Sequence, residues 1–581
     1  MEHRTINFNQ LLKQSDISIV FVGSAGQGLQ TLNALVTNIL KRKGYFVFST
    51  QELMSRIRGG TNSVEIRFSQ QKCFAFVRRI DIVIALNQDA ISHLKPRITP
   101  KTIIISPFEG HVSDYGAFYF PATTLAKKLG NPIYMNSIIL GMTCYLFSIE
   151  INILKQVFDK YFASLDESKK TNNVLAAKKG YAKGKELWPN AAIDFPTVDD
   201  PNTLKEKILI NGAEATALGA IAGGCNFVCA YPMSPSTSVL LNVAKRSHQY
   251  HIGIEQVEDE ISAVNMALGA WYAGGRALVT TSGGGFALMC EGVSLAGMTE
   301  TPLVIMVGQR PGPATGLPTR TEQGDLNLVH YAGHGEFPRF IFAPGTIEQA
   351  FLLMKHAFDV ADKFQVPVFF LADQYFLESF YTAKPLHEQP EKITSHIVKT
   401  TENYKRYALT ENGISPRGIP NYGDGIVCVD SDEHTEKGLI TEDFSVRKAM
   451  QNKRMRKLLG MRESAIQPTF YGPTSYDCLI ICWGSNFYLV QESILRLKHM
   501  QTKTKFAMLH FSQVYPLNLK VKKYFERAKK IIAIENNYTH QFATLLEMEF
   551  QIKFDAYILQ YDGQPFAVET IIEKLQNIAL S

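Results

Sequence analysis

Residues 227–243 read FVCAYPMSPSTSVLLNV, and the order of residue types in them decides the fold class. Phe227–Tyr231 has strand composition, Pro232 and Pro235 fix a turn, and an apolar helical pattern follows. A strand that feeds a helix through a polar turn is the repeating unit of an α/β sheet, where ligands collect at the carboxyl ends of strands. Ser234, Ser236, Thr237 and Ser238 leave hydroxyls and backbone N–H groups at the helix start, which favours an anion such as a carboxylate. An ordinary Ser/Thr cap satisfies the same pattern.

The same logic extends downstream. In Val257-Glu-Asp-Glu-Ile-Ser-Ala-Val-Asn-Met-Ala-Leu-Gly269, the residues Val257, Ile261, Val264 and Leu268 recur at helical spacing. Acids in a first helical turn usually complement the dipole, but Glu260 is placed beside Ile261 on the expected apolar side. A carboxyl drawn into that surface can donate to a ring nitrogen. Strand Ala277–Thr280 then runs into Thr281-Ser-Gly-Gly-Gly285, where Gly283 and Gly285 allow close approach of a ligand or chain. Strand Leu303–Val307 leads to Gly308-Gln-Arg-Pro-Gly-Pro313, so Arg310 stands at a strand end, where it and Ser234 can form a carboxylate clamp. Leu317-Pro-Thr-Arg-Thr-Glu-Gln-Gly-Asp-Leu326 adds a polar loop with Arg320, and Val368–Leu371 reads as a further strand after a long helix near Ile347–Phe364.

Upstream, Ile17–Val22 enters Gly23-Ser-Ala-Gly-Gln-Gly28 and a helix ending at Gly44. Strands are expected at Tyr45–Phe48, Val64–Phe68, Ile82–Leu86 and Ile103–Ile105, giving a mostly parallel α/β sheet in residues 1–190. The polar segment around Trp188–Thr203 reads as a linker to a second α/β block at 205–385. Residues 386–470 read as an extended connector ending in a basic helix, Val446–Leu459, with its six cations on a solvated face. The last block, 471–581, returns to strand–helix alternation with strands at Cys478–Cys482, Phe506–Leu509 and Ile531–Ile534.

Composition narrows the function classes. The 581 residues carry 60 Lys+Arg against 54 Asp+Glu, a net +6 too weak to point to nucleic acid or an anionic membrane. The apolar stretch Tyr134–Leu154 holds Asn136, Glu150 and Asn152, so it reads as a buried helix. None of the eight cysteines forms a CxxC, and both four-apart pairs, Cys225/Cys229 and Cys478/Cys482, sit in apolar runs as plain thiols. The start, MEHRTINFNQ, lacks a signal-peptide pattern, and a reducing cytoplasm is the expected compartment. GSAGQG lacks the spacing of a dinucleotide fingerprint, and only Glu52 offers itself as a ribose acid.

Taken in order, YPMSPST, VEDEISAVNMALG, TSGGG, GQRPGPATGLPTRTEQGDL and IIAIENNYTHQ resemble the α subunit of 2-oxoacid:ferredoxin oxidoreductases. The 2-oxoglutarate-type branch fits best, in the form with the γ domain fused ahead of α; GSAGQG and Arg56-Ile-Arg-Gly-Gly60 resemble that γ domain. The resemblance implies a γ-type domain at 1–190, a pyrimidine-binding thiamine diphosphate domain at 205–385, and a transketolase C-terminal-like domain at 471–581. It implies thiamine diphosphate shared with a β subunit, with Glu260 bonding the aminopyrimidine and Tyr231, Pro232, Gly283 and Gly285 around the cofactor. Ser234, where the family usually has threonine, and Arg310 would hold the substrate carboxylate. Coenzyme A would accept the acyl group and ferredoxin the electrons, in an (αβ)2 assembly whose β subunit carries Mg²⁺ and [4Fe–4S] clusters, with no metal bound by this chain. Pyruvate, branched-chain 2-oxoacids and indolepyruvate are alternative substrates; a non-catalytic scaffold of the same fold is the alternative from another class. Two positions depart from the family: Gly284 replaces a proline, which should loosen that loop, and His540 replaces a glycine in a turn. Gly423-Asp-Gly425 imitates a diphosphate motif but lacks the preceding strand and following helix, so it reads as a turn before a β-like Ile426–Val429.

Overall fold

β-Branched and aromatic residues in alternation make Ile17–Ser24 a fully inserted strand, and Gly28, left-handed at φ 75°, starts the helix Leu29–Lys43 behind it. The computed structural model describes residues 10–54, 60–200, 202–386 and 393–580; Arg56 and Arg58 lie outside them. The chain divides into two units, Met1–Ile210 with Ser379–Pro385, and Asn211–Glu378 with Leu386–Ser581.

The first unit is built on an eight-stranded sheet in the order Phe118–Tyr119, Ile103–Ser106, Ile82–Ala85, Ile17–Ser24, Thr61–Ser69, Phe46–Glu52, Phe380–Ala383, Ile208–Asn211. Its first half is parallel, but Thr61–Ser69 runs antiparallel to both Ile17–Ser24 and Phe46–Glu52. The expectation of a mostly parallel sheet is therefore corrected. The interval between Glu52 and Thr61 is shorter than the dozen residues a parallel crossover needs, so those strands must pair antiparallel. This arrangement also removes the dinucleotide reading: an antiparallel strand separates Ile17–Ser24 from Phe46–Glu52, and Glu52 pairs with His93 at 3.1 Å.

Tyr134–Leu154 is not one helix. Met135–Leu146 is almost wholly buried, Ser148 turns left-handed at φ 48°, and Ile151–Tyr161 restarts. Among the described residues no helix is long and apolar enough to cross a membrane. The polar stretch after Trp188 wraps its own unit: Trp188, Ile193 and Phe195 are buried, and Tyr45 Oη donates to Phe195 O at 2.7 Å.

The second unit holds two sheets. The seven-stranded one runs Gln513–Tyr515, Phe340–Phe342, Pro367–Asp373, Leu303–Gln309, Ala277–Ser282, Phe227–Ala230, Gly253–Gln256, all parallel except the first strand. The five-stranded one runs Thr469–Tyr471, Phe506–Phe511, Cys478–Trp483, Lys530–Glu535, Ala556–Leu559. The helix Ile347–Phe364 begins where the sequence placed it, with Thr346 Oγ1 accepting from Gln349 N. All eight cysteines are free thiols, and burial raises Cys225 and Cys229 to about 12. Gly423 is held against Thr400 in a left-handed turn at φ 114°; Ile426–Val429 forms no strand, and Ile426 is 85% exposed.

The basic helix extends over Phe444–Glu463, and its face is not solvated as expected. Lys453 and Lys457 are each 1% exposed, and both ammonium groups close on the Glu300 carboxylate, at 2.6 and 2.5 Å. Arg454 is also buried, donating to Glu433 at 2.7 Å. Glu300 lies 153 residues before Lys453, so no local pattern announces the pairing.

Candidate functional site

Parallel register aligns Ser282 with Gly308, and Gly308 with Ala372, so the turns after these strands leave one edge of the seven-stranded sheet at one level. Strand Ala277–Ser282 enters the helix Gly283–Leu288; strand Leu303–Gln309 delivers Arg310; strand Phe227–Ala230 delivers the Tyr231–Ser238 turn. Gly308 lets that turn close on the sheet: a Cβ there would stand 2.8 Å from Ser236 N.

Arg310 and Ser234 do meet. Arg310 Nη1 donates to the main-chain carbonyl of Ser234 at 2.8 Å, leaving the Ser234 hydroxyl in an exposed residue. Tyr231 is 41% exposed at the start of the same turn, and Pro232 is half-buried beside it. Ser236, by contrast, is sealed, with Oγ donating to Met233 O at 2.7 Å, so its hydroxyl serves the turn.

Glu260 opens the helix Glu260–Tyr272, capped by Asp259, whose side chain accepts from Ser262 N at 2.8 Å. It is buried, and its Oε1 has no hydrogen-bond partner. The neighbouring expectation needs correcting: Ile261 is 49% exposed, and the buried stripe runs through Glu260, Ala263, Val264 and Ala267. The cap at Asp259 rotates the helix so that the acid, not the isoleucine, faces inward.

The three glycines divide the work. A Cβ on Gly285 would stand 2.4 Å from Glu260 Oε1, and one on Gly283 would stand 2.3 Å from Asp325 Oδ1. Gly284 has open space, its nearest neighbour being Ala314 O at 3.8 Å. Gly284 lies in the first turn of a helix, a position where a proline is also tolerated. His540 is left-handed at φ 42°, a conformation that favours glycine, and is held by a ring stack on Tyr557 and a 3.0 Å bond between Nδ1 and Thr544 Oγ1.

A cavity of about 220 Å³ opens between these turns, lined by Gly283, Gly284, Arg310, Pro313, Asp325 and their neighbours. Asp325 was not singled out in the sequence. It precedes the short helix Leu326–His330 without capping it, and its Oδ2 is sealed from solvent without a partner. Burial, then Glu322, raise its carboxyl to about 7 against the pull of Arg310. Burial also holds the Arg310 guanidinium below its ordinary value, with Asp325 opposing. Arg320, on the same loop, lies against Gly563 rather than at the cavity.

That loop is gripped by the late motif. Gln323 N donates to Asn536 O at 2.7 Å, Gln323 Nε2 to Trp483 O at 3.0 Å, and Gln541 Nε2 to Gly324 O at 2.9 Å. Glu535 holds the motif itself, accepting from Phe542 N, Ala543 N and Trp483 Nε1. The site thus offers a cationic clamp, a sealed carboxyl of raised pKa and an unpartnered carboxylate oxygen, a set suited to an anion beside a heteroaromatic group with N–H functions. Among the described residues no group of three metal-ligating side chains assembles.

Known proteins match this chain along nearly its whole length. Residues 218–453 match the family described as pyruvate flavodoxin/ferredoxin oxidoreductase, thiamine diP-binding, and residues 18–183 match pyruvate ferredoxin/flavodoxin oxidoreductase. The chain is 31% identical to the 2-oxoacid:ferredoxin oxidoreductase 1 α subunit of Aeropyrum pernix, over 97% of this chain and 98% of the relative. It is 25% identical to the 2-oxoglutarate oxidoreductase subunit KorA of Mycobacterium tuberculosis, over 96% and 90%. A solved structure of 2-oxoglutarate:ferredoxin oxidoreductase from Magnetococcus marinus, with 2-oxoglutarate, coenzyme A and succinyl-CoA bound, superposes with TM-score 0.90 at 30% identity, covering 97% of this chain and all of that one. Matched nearly end to end and in both family regions, this chain belongs to the α subunits of the 2-oxoacid:ferredoxin oxidoreductases.

Proposed function

We propose that this chain, with a separate β subunit, catalyses oxidative decarboxylation of 2-oxoglutarate to succinyl-CoA and CO2, passing electrons to ferredoxin. The observation that carries the reading is the Arg310 guanidinium fixed on Ser234 O beside a cavity walled by Gly283 and Gly284, the next residue of which, Gly285, packs against the orphaned Glu260 oxygen. Residues 1–190 serve as the γ-type domain, 205–385 as the pyrimidine-binding domain, 386–470 as the connector and 471–581 as the transketolase C-terminal-like domain.

The residues fit thiamine diphosphate on one side. A buried carboxylate oxygen without a partner needs a donor, and an aminopyrimidine ring offers one; Gly285 leaves the space it requires. When bound, the cofactor supplies a nucleophilic carbanion and an electron sink for decarboxylation. Glu260 holds a proton at the ring nitrogen, Tyr231 and Pro232 border the turn, and Gly283 and Gly285 let the backbone approach. Arg310, with the Ser234 hydroxyl, orients the substrate carboxylate. In this reading the Mg²⁺ and [4Fe–4S] groups reside in the β subunit. The working assembly is an (αβ)2 heterotetramer in the cytoplasm.

The test is viologen reduction by the anaerobically purified complex, dependent on 2-oxoglutarate and coenzyme A, with pyruvate, branched-chain 2-oxoacids and indolepyruvate alongside. Turnover with 2-oxoglutarate supports the full reading; turnover only with another acid keeps the chemistry and moves the substrate. Silence with every acid, despite bound cofactor and iron, makes the chain a scaffold.

A further inference from the structure

Asp325 is a half-buried acid, one of whose oxygens is sealed from solvent without a donor. It stands directly before a helix but does not cap it, and its main-chain N–H is engaged by Gln309 Oε1 at 3.3 Å while Oδ2 finds no donor. Only the glycine at position 283 admits Oδ1 to its place. The groups facing it decide its charge. Glu322, on its own loop, opposes ionisation; Arg310, at the end of the adjacent strand, favours it; the helix Gly283–Leu288 (GGGFAL) brings no ionisable side chain. Burial outweighs Arg310, and the carboxyl is raised to about 7. An ionised carboxylate with a sealed, unpartnered oxygen is costly, whereas the neutral acid carries an O–H donor.

The cavity that Asp325 shares with Arg310 therefore presents two donors of different kind: a permanent cation, and an acid that donates only while protonated. We propose that Asp325 binds the carboxylate of the 2-oxoacid as a protonated donor opposite Arg310, so that each substrate anion enters with one proton taken from solvent and returned on release. The inference rests on the reading of the Arg310 cavity as the substrate site. Its physical core is electrostatic: the ionised acid would set a second negative charge beside the incoming carboxylate, and the neutral acid gives it a hydrogen bond.

The sign follows from linkage. Above the Asp325 titration each binding event must first protonate the acid, so apparent affinity falls about tenfold per pH unit; below it affinity is flat. The complex with its β subunit is assayed from about pH 6.5 to about pH 8.5. The readouts are KM for the preferred 2-oxoacid and Ki of the matching unreactive carboxylate, glutarate for 2-oxoglutarate or propionate for pyruvate. The wild-type Ki is expected to climb with the slope above, and D325N, which donates at every pH, to hold it flat near the low-pH value. A flat wild-type profile, or an unchanged slope in D325N, overturns the proposal. R310A separates the two levels of the argument: if its Ki equals that of wild type at every pH, the cavity is not the carboxylate site and the underlying reading fails. If R310A loses binding while wild type shows no slope, the cavity reading stands and the role of Asp325 falls.

Discussion

Arg310 reaches back 76 residues to donate to the carbonyl of Ser234 rather than to its hydroxyl. A main-chain acceptor survives any side-chain replacement, so the two residues differ in what their loss should do. R310A removes the cation and leaves the turn carbonyl unpaired; kcat/KM is expected to drop by about a hundredfold or more, the scale of a truncated charged contact. S234A keeps the Arg310 contact and deletes one hydroxyl, for a loss of about tenfold or less. Steady-state kinetics on the two variant complexes tests the ordering. Equal losses would show that the serine hydroxyl contributes as much as the guanidinium.

Gly285 and Glu260 make a sterically coupled pair. E260A should lower kcat by about 10²–10⁴, the range for losing a positioned acid–base group. G285A adds a methyl 2.4 Å from Glu260 Oε1 and 2.3 Å from Thr281 Oγ1, so the acid must move. It should lower kcat by about tenfold or more with KM little changed. G284A meets nothing closer than 3.8 Å and should behave as wild type. If G285A matches G284A at unchanged melting temperature, the position of Glu260 is not what the reaction depends on.

Local chemistry was legible and long-range pairing was not. Seven strands of the second unit, from Phe227–Ala230 to Lys530–Glu535, the helix Ile347–Phe364 and the Ser234–Arg310 convergence follow from residue period and from where turns fall between strands, whereas the short strands Gly253–Gln256, Phe340–Phe342, Thr469–Tyr471, Gln513–Tyr515 and Ala556–Leu559 carried too few residues to show a period. The antiparallel half of the first sheet was open to the same reasoning, since the segment between Glu52 and Thr61 is too short for a crossover. The orientation of the helix after Asp259 needed its cap geometry: a shift of one position exchanges Glu260 for Ile261 on the inner face. Asp325 and the lysines on Phe444–Glu463 were invisible for another reason. Their environments are made by residues over a hundred positions away or by a cavity, and a buried ion pair has no sequence period.

Those lysines carry a stability prediction. Burial alone would push the Glu300 pKa up, but Lys457, Lys453 and Arg406 overcome it and hold the carboxyl well below the usual range. A depressed folded value means that this contribution is complete above the unfolded carboxylate pKa and is lost as pH falls toward the folded one. E300Q leaves two buried ammonium groups without a counter-charge, and should cost about 3–5 kcal/mol at neutral pH. The triple variant E300Q/K453M/K457M should recover most of that loss, because apolar groups replace all three charges. Thermal melts of the full chain as a function of pH decide it. An E300Q protein as stable as wild type would mean that the lysines find other acceptors, of which Gln365 O, 3.1 Å from Lys457 Nζ, is the nearest.

The clamp on the Asp325 loop can be separated from plain stability. Gln323 Oε1 accepts from Asn486 Nδ2 and Asn536 N, and its amide donates to Trp483 O, so Q323L orphans three buried polar groups at about 1–3 kcal/mol each. Asp325 lies two residues on, and its exit from the loop is fixed by Gln541 through Gly324 O and Asn327 N. If the loop is held in order to place Asp325 beside Arg310, Q323L should raise KM by about tenfold with a smaller change in kcat, at temperatures where the variant is fully folded. Q541A, which removes only the two bonds flanking Asp325, should move KM in the same direction with less effect on melting. E300Q supplies the contrast: it weakens the same unit away from the cavity, so its KM should stay at the wild-type value. A Q323L complex that melts early yet binds its 2-oxoacid normally would assign the clamp to folding alone, and Asp325 would then owe its place to Gly283 and Gln309.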